Sequence, residues 1–128
     1  MKPTFYLRID SRHKLAVYVW PTVARLRKAW RDSDHSDATG TLAFWRSKRI
    51  RISARGSVVS ELIGSIHLPL GKFGAGIFAH ELQHFMDFWS SCVSGRDNEY
   101  LPGIAGRMTS EFWRKYYKRW PRIGDKPV

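Results

Sequence analysis

The chain has 128 residues, 43% of them hydrophobic and 14% aromatic, which is enough apolar material for one core and too much for a disordered tail. It has no apolar run as long as the ~20 residues of a membrane span, no signal-peptide h-region ahead of the first strand-like segment, and a lone cysteine, Cys92, that cannot form an intrachain disulfide. These features predict a single domain over residues 1–128, cytoplasmic and without a membrane partner, with Cys92 as a small packing residue.

In chain order, Phe5–Ile9 and Leu15–Trp20 have the apolar, β-branched character of strands flanking the polar turn Asp10-Ser11-Arg12-His13. Pro21 can open a helix whose stripe is Val23, Leu26 and Trp30, with Arg25, Arg27, Lys28 and Arg31 outside. The acid-rich run Asp32–Gly40 reads as a loop. It fails as a calcium loop, because Asp37 stands at the required glycine and Ala43 at the closing glutamate. Thr41–Trp45 and Arg49–Ser53 form an expected strand pair joined by Arg46-Ser47-Lys48, and alternation in Arg49-Ile50-Arg51-Ile52 places the isoleucines in the core. A further strand, about Leu62–Leu68, closes at Pro69. A connection with Gly71, Gly74 and Gly76 leads to a helix over about 75–90. After a turn at 91–97, a last helix over about 99–120 carries Ile104, Met108, Phe112 and Tyr116 on one stripe.

The helix at 75–90 contains His80-Glu81-Leu82-Gln83-His84, an HExxH motif. Residues four apart lie one turn above each other, so His80 and His84 project from one face and can chelate one Zn²⁺. Glu81 between them is placed to take a proton from the water that such an ion activates. The flanks, Ile77-Phe78-Ala79 and Phe85-Met86, are apolar, as a helix buried beside a metal requires. A catalytic zinc has three protein ligands. The metzincin continuation is absent, because Asp87 replaces its glycine and Ser90 its third histidine, and no histidine follows His84. A downstream third ligand is therefore a carboxylate: Glu99, Glu111 or Asp87. Asp87 is better suited to orienting a histidine than to ligation.

The net charge of +11 sits in three basic groups, over residues 2–31, 46–55 and 107–126. They surround a middle segment, 56–104, with only Lys72 and Arg96 against five acids. Such a field suits nucleic acid, although a solvated basic surface has the same composition. Arg114–Trp120 mixes cations with aromatics, which fits either a grip on single-stranded nucleic acid or an amphipathic helix with snorkelling charges.

The segment Gly64–Leu68 followed by Gly74–Phe85 resembles the edge-strand-plus-active-helix unit of zincin metallopeptidases, and the chain's small size is similar to the minimal gluzincins and the SprT-like compact zincins. The resemblance covers roughly residues 58–112. It implies a small α+β domain, with a short mixed sheet whose edge strand precedes the HExxH helix, and a C-terminal helix. It also implies a zinc peptidase with Glu81 as general base, His80, His84 and Glu99 as ligands, and a peptide or protein substrate extended along Ile63–Leu68. His67 and Tyr100 are the candidates for transition-state stabilisation. The alternative is a basic, nucleic-acid-associated binding module whose zinc site is structural or vestigial.

Overall fold

The computed structural model describes residues 2–34, 43–54, 57–93, 95–96 and 99–121, with the backbone alone for 33–34, 52–54 and 57–59. The expected Asp32–Gly40 loop lies largely outside them, and so do the last basic residues, Arg122 and Lys126. The elements run β1 (Phe5–Arg8), β2 (His13–Trp20), α1 (Val23–Asp34), β3 (Phe44–Ala54), β4 (Ser57–Pro69), α2 (Ala75–Cys92) and α3 (Tyr100–Arg119). Four strands form one mixed sheet in the order β1-β2-β4-β3, so the class is α+β as expected.

Short polar side chains set the turns. Asp10 Oδ1 accepts the backbone N–H groups of Arg12 and His13, each at 2.8 Å, and closes the β1–β2 connection as an Asx turn. Thr22 Oγ1 accepts the Arg25 N–H at 3.1 Å and caps the start of α1 just beyond Pro21.

Three expectations about strands are corrected. The strand before α2 is not an edge: β4 pairs with β2 in parallel and with β3 antiparallel, and β3 takes the edge. Among the described residues the expected pair 41–45 and 49–53 is one strand from Phe44 on, because the register steps from Ser47↔Gly64 to Ile50↔Leu62 and absorbs one extra residue as a bulge. That bulge also resets the alternation. Ile50 shares a face with Leu62 rather than with the buried Ile63, and it is 39% exposed. Cys92 is likewise exposed at the end of α2 instead of packed.

One sheet face, with Leu7, Val17, Ile66 and Leu68, packs under α2 and α3. The expected α3 stripe of Ile104, Met108, Phe112 and Tyr116 is fully used, and Phe112 stacks on Phe78 of α2 with ring centres 3.9 Å apart. Helix α1 packs on β2 and β4. It takes the opposite face, where Leu26 is buried and Trp30 meets Phe44.

The two sheet edges are treated differently. On β1, the outward backbone groups are taken by side chains one and two turns apart on α3. Lys115 Nζ donates to the Tyr6 carbonyl (2.6 Å), Glu111 accepts the Arg8 N–H (3.0 Å), and Arg107 donates to the carbonyls of Arg8 (2.8 Å) and Ile9. A helix thus occupies the place of a further strand and blocks that edge. Edge β3 has no strand on its outer side among the described residues.

Candidate metal centre

Helix α2 follows a turn in which Gly71 adopts φ +67°, a left-handed conformation that a β-carbon disfavours. Its buried stripe is Phe78, Glu81, Leu82, Phe85, Met86 and Trp89, spaced by three and four residues. His80 and His84 therefore lie on the exposed side, while Glu81 sits at the margin of the core and is 6% exposed. A carboxylate on an otherwise apolar stripe is costly to bury, which is a reason to look for chemistry there.

Among the described residues, His80, Glu81 and His84 form the one group that could hold a metal ion, with their ligand atoms all within 4.8 Å of one another. The two imidazole Nε2 atoms are 3.2 Å apart, and the rings are nearly perpendicular at 88°. Two nitrogens each ~2.05 Å from one tetrahedral zinc are ~3.3 Å apart, so the donor set fits such an ion. Burial raises the Glu81 pKa, and the neighbouring His80 and His84 pull it back in part. A carboxylate held in that way is a stronger proton acceptor than a solvated one.

The hollow in front of this group, about 350 Å³, is lined by the three motif residues together with Trp30, Ala43, Phe44 and Trp45. These four come from α1 and the start of β3 and were not singled out from the sequence. Trp45 lies across the sheet against Phe85 and Phe88 of α2. It can do so because β4 has a glycine beneath it: a β-carbon at Gly64 would sit 2.4 Å from the indole and 2.4 Å from the Arg46 carbonyl. A glycine inside a strand signals such a close approach, and that was the available clue.

The other candidates lie elsewhere. Glu99 is exposed at the head of α3 and is outside the three-residue group. Glu111 is committed to the β1 edge, where it accepts the Arg8 N–H and pairs with Lys115 at 2.9 Å. Asp87 is exposed and takes the Gln83 amide at 2.8 Å rather than a histidine. The Tyr100 hydroxyl accepts the Trp89 indole N–H at 3.3 Å, joining α2 to α3.

His67 points to the α1 side of the sheet, stacked between Phe44 (4.1 Å) and Tyr18 (4.6 Å). Its Nδ1 accepts the Trp20 indole N–H at 3.0 Å, which fixes the neutral tautomer whose Nε2–H meets Ser65 Oγ at 2.8 Å. Burial, with the nearby Arg46 charge adding to it, depresses its pKa to about 3. His67 is not among the residues that line the hollow in front of His80, Glu81 and His84.

No helix among the described residues is long and apolar enough to cross a membrane. No protein-family model, curated protein or solved structure matches this chain.

Proposed function

We propose that the chain is a zinc-dependent metallopeptidase of the zincin type, with His80 and His84 as ligands, Glu99 as the third and Glu81 as general base. The observation that carries this is the pair of Nε2 atoms 3.2 Å apart with a buried carboxylate between them, opening on a hollow beside an edge strand. Bound there, Zn²⁺ supplies a Lewis acid that polarises a carbonyl and lowers the pKa of water. Glu81 takes up a proton at its carboxylate and returns it to the leaving amine, a role that its raised pKa favours.

The substrate strand belongs on β3, not on β4. The pairing of β4 on both sides excludes addition there, and the α3 side chains block β1. Main-chain hydrogen bonds to β3 hold the peptide extended, while Phe44 and Trp45 at the start of that strand flank the reacting bond. Glu99 is an exposed carboxylate at the first turn of the helix packed against α2. Recruiting it to the ion calls for a shift at the α2–α3 connection. A purely structural zinc is closed by four protein ligands and has no use for the carboxylate between the histidines, which weighs against the binding-module alternative.

Elemental analysis of the purified protein tests the site. The expected result is about one zinc per chain. It is lost in His84→Ala and held more weakly in Glu99→Ala, with Glu111→Ala and Asp87→Ala like the parent. With an unfolded protein substrate, Glu81→Gln retains zinc and loses roughly 100-fold or more in rate. A parent chain that takes up no zinc, or a fully active Glu81→Gln variant, refutes the proposal.

A further inference from the structure

Three hollows of about 330, 610 and 700 Å³ lie away from the candidate metal centre, along the seam between β1 and α3. They form one groove: the first shares Arg8 and Glu111 with the second, and Tyr6 and Lys115 with the third. Eight Lys and Arg residues line it, against Asp10 and Glu111. Both acids are already engaged, Asp10 by the Arg12 and His13 N–H groups and Glu111 by Arg8 N–H and Lys115. With eight cations against two acids the groove is strongly basic, and Arg8, Arg114 and Lys118 are exposed in it.

The spacing of those cations is ordered. Arg107, Arg114 and Lys118 recur at i, i+7 and i+11 on α3, next to its buried stripe, and all three are exposed. They extend about 16 Å along the helix. Exposed Arg8 faces them from β1. Tyr6 of β1, 37% exposed and with Lys14 Nζ 4.0 Å above its ring, also lines the groove.

We propose that this groove binds one strand of nucleic acid through its phosphate backbone, independently of the metal centre. A row of cations about 16 Å long can follow the phosphates of a strand laid along the seam. The exposed Tyr6 ring in the lining can take a stacked base, which a single strand offers and a duplex, with its bases already stacked, does not.

Fluorescence anisotropy with a labelled oligo(dT) of about twelve nucleotides tests this on the full chain, between about 50 and 200 mM salt. The expected slope of log K against log salt lies between about −2 and −4, and the matching duplex binds more weakly. Arg8→Glu/Arg114→Glu/Lys118→Glu weakens binding about tenfold or more, and the milder Arg114→Gln/Lys118→Gln about threefold, with circular dichroism confirming the fold. Arg25→Glu/Arg31→Glu/Lys72→Glu, which alters the same charge on other surfaces, changes it less than about threefold. Zinc-free protein and Glu81→Gln bind like the parent, so failure here is distinct from failure of the peptidase assignment. Equal loss in the two triple variants, tighter binding of the duplex, or no binding at about 50 mM salt overturns the proposal.

Discussion

His67 makes a quantitative test of how the sheet is held. In the folded chain its Nδ1 is occupied by the Trp20 N–H, so a second proton must displace that hydrogen bond inside an aromatic stack. Its folded pKa of about 3 lies below the ~6.5 of an unfolded histidine. The unfolded chain therefore binds the proton first. Stability from this group is complete above about pH 6.5 and falls as the pH drops towards about 3. The slope is about 1.4 kcal/mol per pH unit, so roughly 2 kcal/mol is lost between about pH 7.5 and pH 5.

Urea unfolding of the parent and of His67→Gln at both pH values isolates this contribution, because the other titrating groups cancel in the difference. At about pH 7.5 the variant is less stable by about 1–3 kcal/mol, through lost stacking and an unsatisfied Trp20 N–H. By about pH 5 the gap narrows by roughly 2 kcal/mol. Parallel stability curves for the two proteins across that range would refute the argument and mean that His67 protonates in place.

The remaining predictions concern packing and the sheet edge. Gly64→Ala drives a methyl group into the Trp45 indole and the Arg46 carbonyl, so the urea midpoint falls by the equivalent of about 1–3 kcal/mol, and an unchanged midpoint counts against that contact. Phe112→Ala, at the junction of Phe5, Phe73 and Phe78, costs about 3–5 kcal/mol by the same assay. Replacing Arg107, Glu111 and Lys115 together by alanine uncovers the β1 edge, and light scattering then reports concentration-dependent association where the parent is unaffected.

The parts of this molecule governed by period were legible in its sequence. The α3 stripe and the HExxH face follow from three- and four-residue spacing, and both lie where that spacing puts them. The misplacements came from effects that period does not encode. One extra residue in β3 was absorbed as a bulge, which kept the strand whole and turned Ile50 outward. Strand order depends on long-range pairing, so the segment before the motif helix looked like an edge although β2 and β3 flank it. His67 sits on a strand near the motif, but alternation sends it to the face opposite Ile66 and Leu68. Trp30 and Trp45 reach the hollow in front of the HExxH group through tertiary packing, for which only Gly64 left a local trace.

The inner position of β4 governs the order in which the chain can assemble. Its parallel partner β2 is distant in sequence, with His13 opposite Glu61 and Trp20 opposite Pro69. Until residue 69 has been made, β2 has β1 on one side and nothing on the other. Closing that gap carries the loop entropy of nearly fifty residues, and such non-local pairing slows folding. Helix α2 can dock only on the sheet so completed, which means that the hollow walled by Phe44 and Trp45 forms in front of the histidines after the slowest contact. A nascent chain ending before β4 exposes an unpaired β2, and its fate rests on how soon the next dozen residues follow.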